Sequence, residues 1–288
     1  MHWKKKLVQD GSITLNNVSI LASIYKGEQP HYFEKCLESL VNQEYKASEV
    51  VLVEDGPLPK ELLTIIESFR SRLNIITVKV LENKGLGNAL NVGLEKCSQP
   101  LVARMDTDDI ACESRLKVQV AFMADNPHIS LCGSYSIEID AEGKVGRLRT
   151  MPVHHDQIVS NLWTNPFIHP SVMFRKDAVL GVGGYDANLS RRQDYELWFR
   201  CAVNKLQFAN IPKPLIYYRF TNETHKKQSK SVCLLQAKIG FKGSINAGLG
   251  VLKASLCYIP YIRSFLPQKL QHIVYNSLKR FDPRNVKE

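Results

Sequence analysis

The chain has 288 residues, 44% of them hydrophobic and 23% charged, with a net charge of +10 at pH 7. This length suggests about two domains or one large one, and the composition argues against a disordered or fibrous protein. No apolar run reaches the ~18 residues of a membrane-spanning helix, which argues against that class as well. Seven scattered cysteines without a C-x-x-C pair predict reduced, mostly buried thiols in a cytosolic protein, not a disulfide framework or zinc site.

Strand and helix patterns alternate over the first part of the chain. Short apolar runs predict strands at 18–25, 50–53, 75–81 and 101–105, and apolar residues at helical spacing predict helices at 32–43, 58–69, 88–97 and 113–124. Nothing in the basic first ten residues resembles a secretory signal. This alternation indicates a parallel sheet with right-handed crossovers.

Polar clusters follow these strands at 25–28, 54–56, 82–85 and 106–109. Ligands of parallel α/β sheets bind outside the carboxyl ends of the strands, so this edge is the expected site. Tyr25 could stack on a base, or pack in the core. Asp55 could accept hydrogen bonds from a base or ribose, and Lys84 and Arg104 could neutralise phosphates, although each also fits an ordinary turn or surface position.

The densest cluster is acidic. Asp106, Asp108 and Asp109 place three carboxylates within four residues at a strand end, which is unfavourable unless a positive charge lies between them. A hard divalent cation with oxygen ligands, Mg²⁺ or Mn²⁺, supplies such a charge. The alternative is a solvated acidic turn before the helix at Glu113, and the position after an apolar strand favours the metal.

The pattern changes after about residue 126. A hairpin is predicted over 131–139 and 144–149, followed by a short helix at 155–163, a strand at 172–175, a glycine turn at 181–184, a helix at 194–203 and a strand at 215–220. Asp194 begins the last helix. It could be an N-cap, or a general base that takes a proton from an attacking hydroxyl.

The positive charge is concentrated at the C-terminus. Residues 225–288 hold 12 basic and two acidic residues, whereas residues 1–224 hold 26 of each. Cations interleaved with Leu, Ile, Tyr and Phe are typical of a segment that lies on an anionic membrane surface. A solvated helical cap is the alternative, and nucleic-acid binding is disfavoured because no nucleic-acid motif accompanies the many aliphatic residues.

Taken together, seven segments resemble the family 2 glycosyltransferases with the GT-A fold, in the branch that builds bacterial O-antigens and exopolysaccharides. The matching segments occur in order across residues 18–220: VSILASIYKGE, LESLVNQ, EVVLVEDG, NKGLGNALNVG, ARMDTDDI, IHPSVMFR and GGYDANLSRRQDYELWFR. The resemblance implies an α/β protein with a Rossmann-like, mostly parallel central sheet flanked by helices and a helical basic C-terminal segment. It also implies an N-terminal extension (1–16), a nucleotide-sugar-binding half (17–126), an acceptor-binding half (127–222) and a basic amphipathic helical tail (223–288).

The resemblance also implies a role for each site residue. Asp106 and Asp108 match the D-x-D motif that holds Mn²⁺ or Mg²⁺, and Asp194 matches the catalytic base, with Gln193 where the family often has Glu. The implied nucleotide-sugar-binding residues are Tyr25, Glu28, Asp55, Lys84, Asn88, Arg104 and Asp106.

The implied reaction is an inverting, metal-dependent transfer of a hexose (Glc, Gal or N-acetylhexosamine). The donor would be a UDP-sugar and the acceptor a saccharide on a polyprenyl diphosphate, with no nucleic-acid partner. The enzyme would be cytoplasmic and peripheral on the inner face of the cell membrane. Alternatives are a sugar nucleotidyltransferase and a non-catalytic basic protein that binds membranes or nucleic acid. A dinucleotide oxidoreductase is disfavoured because no G-x-G-x-x-G turn follows the first strand.

Overall fold

The computed structural model describes residues 18–220, 229–267 and 270. The expected extension at 1–16 and much of the expected tail therefore lie outside the described residues. Nine strands form one sheet: β1 (Val18–Ile24), β2 (Glu49–Asp55), β3 (Ile75–Val80), β4 (Leu101–Asp106), β5 (Ile110–Ala111), β6 (Ile129–Ile139), β7 (Val145–Arg149), β8 (Met173–Arg175) and β9 (Gln207–Arg219).

The order of the strands is β3-β2-β1-β4-β8-β6-β9-β5, and β7 pairs with β6 as a hairpin. The first four strands in this order pair in parallel, as the alternating pattern predicts. The second half is mixed, because β8 runs antiparallel to both β4 and β6 while β9 runs parallel to β6. One continuous sheet thus joins the two halves of the chain.

Helices cover both faces of this sheet. They are α1 (Pro30–Val41), α2 (Lys60–Phe69), α3 (Leu86–Lys96), α4 (Arg115–Asp125), α5 (His155–Ser160), α6 (Lys176–Gly181), α7 (Gln193–Val203), α8 (Lys230–Asn246), α9 (Gly250–Leu256) and α10 (Ile259–Arg263). Short 3-10 turns occupy Leu162–Thr164 and His169–Ser171. None of the described helices is both long enough and apolar enough to cross a bilayer.

Successive side chains of the buried strands point to opposite faces, which builds two apolar cores. Ile20 and Leu52 pack with α1, α2 and α4 on one face. Leu21 and Val51 pack with α3, α5, α6 and α7 on the other face. Six of the seven cysteines are buried and Cys112 is half-buried, and all seven are unpaired, as the sequence predicts. The two cores fix α3 and α7 on the same face of the sheet.

The last strand differs most from the sequence expectation. It begins at Gln207 rather than at Leu215, because Pro212 and Pro214 lie at an irregularity in the β6–β9 pairing and do not end the strand. Proline lacks the amide that a regular ladder needs, so it is tolerated at a bulge. Helix α6 and the two-residue strand β5 are also absent from the sequence expectation.

Candidate active site

The carboxyl ends of β1, β2 and β4 lie side by side at one edge of the sheet. Ser23 pairs with Asp106, and Ile24 pairs with Glu54, so the polar segments that follow these strands emerge together. This placement confirms the expected convergence of the clusters at 25–28, 54–56 and 106–109, and it brings in the loop at 82–85 through contacts of Asp55.

Asp55 connects the end of β2 to the start of α3. Its side chain is 4% exposed, and its carboxylate accepts hydrogen bonds from the amides of Lys84 (3.0 Å) and Gly85 (3.2 Å). Gly56 follows with φ +85°, where a methyl group would lie 2.9 Å from the Asn83 amide, so the tight turn requires glycine. Lys84 is exposed at this turn and Asn88 is half-buried in the first turn of α3.

The loop after β1 carries two of the expected nucleotide-binding residues. Tyr25 is 45% exposed and its ring lies over Gly27. The Glu28 carboxylate accepts hydrogen bonds from the Thr107 hydroxyl and from the amide of Gln29 (2.8 Å). Glu28 therefore ties the β1 loop to the acidic turn, while Tyr25 offers an open aromatic face at the strand edge.

The acidic turn brings three carboxylates into one group. One oxygen each from Asp106, Asp108 and Asp109 lies within 4.8 Å of the others, the one such cluster of potential metal ligands within residues 18–220 and 229–267. Burial raises the pKa of Asp108 to about 7, and the charges of Asp106 and Glu28 act in the same direction. Burial, followed by the charge of Asp108, also raises the pKa of Asp109. The charge of Asp106 thus makes ionisation of both Asp108 and Asp109 less favourable.

These residues fit a hard divalent cation. Asp109 is 1% exposed, and its Oδ2 atom has no hydrogen-bond partner among the described residues. Buried carboxylate oxygens are normally paired, so this atom is suited to a cation or its bound water. All three ligands would be carboxylates, the donor type that Mg²⁺ and Mn²⁺ prefer.

Arg104 differs from the other expected ligands because it is 1% exposed. Its Nη2 atom pairs with the Asp106 carboxylate, while its Nε and Nη1 atoms have no partner in the described part of the chain. Arg115 donates from Nη2 to the Arg104 carbonyl (2.7 Å), which holds β4 from the other face. The guanidinium of Arg104 therefore supplies positive charge directly beneath the acidic turn.

Arg219, at the end of β9, is a site residue that the sequence analysis missed. Its amide donates to Asp109 Oδ1 (2.7 Å), and its Nε atom donates to the Asp108 carbonyl (2.8 Å). Its Nη1 atom donates to the carbonyls of Asp140 (2.8 Å) and Ala141 (3.1 Å) in the β6–β7 turn. Arg219 is only 3% exposed. Its guanidinium thus joins the acidic turn to the second half of the sheet.

Replacing Arg219 with lysine should weaken Mn²⁺ binding about tenfold to hundredfold, the usual cost of losing an outer contact to a metal site. Lysine keeps the charge but lacks the planar fork that donates to several carbonyls at once. Isothermal titration of the purified protein with Mn²⁺ measures this loss, and Arg72→Lys, at an exposed ion pair with Glu38, is the matched control. Unchanged Mn²⁺ affinity in a folded Arg219→Lys protein would contradict the prediction.

Asp194 lies in the first turn of α7, on the face of the sheet that carries α3. Arg192, two positions before Asp194, has a left-handed backbone conformation (φ 65°) at the start of the helix. Asp194 is half-buried, and its Oδ2 atom accepts a hydrogen bond from Asn165 Nδ2 (3.4 Å). A carboxylate near a helix N-terminus is favoured by the helix dipole. Its carboxylate is partly accessible to solvent.

Tyr185 is a buried residue whose side chain contacts His169. Burial raises the pKa of Tyr185, and the charges of Asp194 and Asp106 both act in the same direction. Its hydroxyl lies 3.0 Å from His169 Nε2. The buried phenol therefore responds both to the charge of Asp194 and to that of Asp106.

Two further residues that the sequence analysis did not assign hold this centre together. The Asn91 side chain on α3 bonds both the amide and the carbonyl of Tyr185, each at 2.7 Å. Burial, together with the positive charge of Arg104, lowers the pKa of His169 well below its usual range, so the imidazole is neutral. The IHPS motif therefore packs against Tyr185 through His169.

Comparison with known proteins agrees with this geometry. The family model described as "Glycosyl transferase family 2" matches residues 19–195. The amylovoran biosynthesis glycosyltransferase AmsE of Erwinia amylovora is 35% identical over 265 residues, which cover 89% of this chain and 97% of AmsE. An Escherichia coli protein named UDP-Gal:alpha-D-GlcNAc-diphosphoundecaprenol beta-1,3-galactosyltransferase is 33% identical over 211 residues, covering 73% of this chain and 76% of that protein.

The fold is also shared with a solved structure. S. aureus TarS 1–349 in complex with UDP-GlcNAc superimposes with a TM-score of 0.66 at 19% identity, covering 92% of this chain and 80% of the TarS chain. At this level of identity the likeness concerns the fold, which is that of the GT-A enzymes.

Proposed function

Because the chain belongs to glycosyl transferase family 2 and is a glycosyltransferase, we propose that it transfers a hexose from a UDP-sugar to a saccharide hydroxyl in polysaccharide assembly. The hexose is Glc, Gal or an N-acetylhexosamine. The acceptor is a saccharide on a polyprenyl diphosphate. Support comes from the named functions of the two relatives and from the UDP-sugar in the TarS complex. The observation that carries the proposal is the group of three carboxylates at the carboxyl end of β4, where one oxygen each from Asp106, Asp108 and Asp109 lies within 4.8 Å of the others.

The donor is assigned to the edge formed by β1, β2 and β4. Tyr25 stacks on the uracil from its open face, and Asp55, which already orders the Lys84 turn, accepts a hydrogen bond from the base. Lys84 is exposed where it can reach the diphosphate. Glu28 and Asn88 border the same edge and contact the nucleotide-sugar.

Asp106 and Asp108 hold the divalent cation, Mn²⁺ or Mg²⁺, and Asp109 completes the carboxylate group. When bound, the cation neutralises charge that develops on the leaving UDP. Arg104 acts through Asp106, because its buried guanidinium pairs with that carboxylate and has no exposed surface for direct contact with the donor. Arg219 fixes the backbone of the turn from the opposite side.

Asp194 is the base of a single displacement with inversion. Its carboxylate takes the proton of the acceptor hydroxyl as that oxygen forms a bond to the anomeric carbon. The bond from the anomeric carbon to the UDP oxygen breaks, and its electron pair leaves with UDP. Asn165 positions the carboxylate through its hydrogen bond to Oδ2. Gln193 is buried beside it and leaves the carboxylate chemistry to Asp194 alone.

The acceptor places the enzyme at a membrane. A saccharide on a polyprenyl diphosphate is anchored in the inner leaflet, so the proposal includes a cytoplasmic enzyme that binds that surface peripherally. The concentration of the net charge of +10 in residues 225–288 supports this placement.

Release of UDP tests the proposal. The purified protein is incubated with UDP-Glc, UDP-Gal or UDP-GlcNAc, a GlcNAc-diphosphate-lipid analogue, and either Mn²⁺ or EDTA. We expect UDP release with one donor, stimulated by acceptor and abolished by EDTA. A sugar nucleotidyltransferase would instead release diphosphate from a nucleoside triphosphate, and a binding protein would release nothing. Either result, or release that EDTA does not change, would overturn the proposal.

A further inference from the structure

The described C-terminal helices form a unit, residues 229–267, that contains basic residues and no acidic one. Lys238 and Lys242 are exposed on α8, and Ile245 is exposed seven positions after Lys238. Residues spaced by four and seven positions share one face of a helix. The opposite face of α8 is buried against the body of the protein. The outer face of α8 is therefore cationic and partly apolar.

The same unit exposes large apolar side chains. Val251 and Leu252 on α9 are 66% and 80% exposed, and Ile262 on α10 is 64% exposed. Scattered apolar residues are normal on a protein surface, but a group of them within one short unit marks an interaction site. The Lys230 ammonium lies 4.5 Å from the centre of the Phe265 ring, and Phe265 is 58% exposed. A cation beside an exposed apolar side chain, in a unit without carboxylates, matches the headgroup and acyl layers of an anionic bilayer.

This unit is fixed to the helix that carries Asp194. A methyl group at Gly243 would lie 2.3 Å from the Phe199 ring, and one at Gly240 would lie 2.7 Å from the Tyr195 hydroxyl, so the backbone of α8 packs directly on side chains of α7. Lys253 on α9 donates to the Ser160 carbonyl (2.9 Å). The unit thus packs on residues of the second half of the chain, Ser160, Tyr195 and Phe199, and holds a defined orientation relative to Asp194.

We propose that α8, α9 and α10 form a docking surface for an anionic lipid bilayer, with the apolar side chains of α9 and α10 entering the interface. The inference deepens the proposed function, since a lipid-linked acceptor is reached from that surface, but the surface itself is argued from its own charges and exposure. A second copy of the chain fits less well, because pairing this surface with itself would oppose cations with no acid to neutralise them.

Vesicle binding of the full chain tests the proposal, since removing α8 would uncover α7. The protein is sedimented with two kinds of vesicle: pure phosphatidylcholine, and phosphatidylcholine with about a third phosphatidylglycerol. We expect binding to the anionic vesicles only, weakened by salt. Lys238→Gln with Lys242→Gln should weaken it about 30-fold, at roughly fivefold per lysine. Val251→Ser with Leu252→Ser should weaken it about tenfold.

The control is Val145→Ser with Leu148→Ser, the same two residue types exposed on β7 (62% and 50%), which should bind as wild type does. Equal binding to neutral vesicles, or an equal loss in the control, would overturn the proposal. The proposal would also be overturned if the wild-type protein did not bind vesicles and formed a dimer that Val251→Ser with Leu252→Ser dissociates. UDP release by these variants reports separately on the proposed function, because docking can persist when no donor is turned over and can fail while turnover persists.

Discussion

Replacing Asp194 with asparagine is expected to lower kcat about a thousandfold, within the range that a general base contributes. The amide has the same shape but cannot accept the proton of the attacking hydroxyl. Because Asp194 lies on α7 and not at the strand edge assigned to the nucleotide, binding of the UDP-sugar should change by less than about threefold. Initial rates of UDP release give kcat, and calorimetric titration with the UDP-sugar gives its Kd.

The matched control for this substitution is Asp177→Asn. Asp177 is an exposed aspartate in the first turn of α6, so its removal costs the same favourable interaction with a helix N-terminus, about 0.3–1 kcal/mol. Both variants should lose similar thermal stability, and only Asp194→Asn should lose turnover. Full turnover by folded Asp194→Asn would end the assignment of this residue as base.

The parts of the site that the sequence predicts are local in sequence. Asp106, Asp108 and Asp109 follow one apolar strand, so their proximity is a consequence of four adjacent positions. The carboxyl ends of parallel strands must meet at one edge, which also brings in Tyr25 and Asp55. The alternation of apolar strands and helices is enough to predict this edge, because strands buried on both faces occur mainly in parallel sheets covered by helices.

The parts that the sequence analysis missed depend on contacts between distant residues. Arg219 donates hydrogen bonds to Asp109 and Asp108, which precede it by 110 and 111 positions. Asn91 bonds Tyr185, which lies 94 positions later in the chain. No periodicity identifies such partners, since a lone Arg or Asn in a sequence fits a surface position equally well. The order of β8, β6 and β9 is set by the same kind of long-range pairing, which composition does not encode.

The C-terminal segment shows a second limit. Its charge is evident from composition, and the helical expectation is confirmed for the described residues. Its packing is not evident, because the buried face of α8 consists of the small residues Cys233, Ala237, Gly240 and Ser244 and not of a stripe of large apolar side chains. Small residues give a weak periodic signal, although they allow two helices to approach closely. Several apolar side chains of the segment, such as Val251, Leu252 and Ile262, lie on the surface.

Replacing Asp108 with asparagine is the second change with a large expected effect. Loss of a carboxylate ligand should weaken Mn²⁺ binding at least about a hundredfold. Turnover should fall about a thousandfold, because charge on the leaving UDP is then left unneutralised, a loss of about 4 kcal/mol in transition-state stabilisation. Asp125→Asn, at an exposed aspartate that ends α4, is the control and should match wild type in both measurements.

The metal-free protein separates this loss of ligand from a loss of structure. Burial and the neighbouring carboxylates raise the pKa of Asp108 to about 7, so keeping it ionised in the folded chain is unfavourable at neutral pH. Asparagine removes that cost, and metal-free Asp108→Asn should therefore melt no lower than wild type. In wild type, protons compete with the cation, so Mn²⁺ affinity should rise from about pH 6 to about pH 8, and asparagine should flatten this rise. A variant that binds Mn²⁺ as tightly as wild type, with the same pH dependence, would remove Asp108 from the metal site.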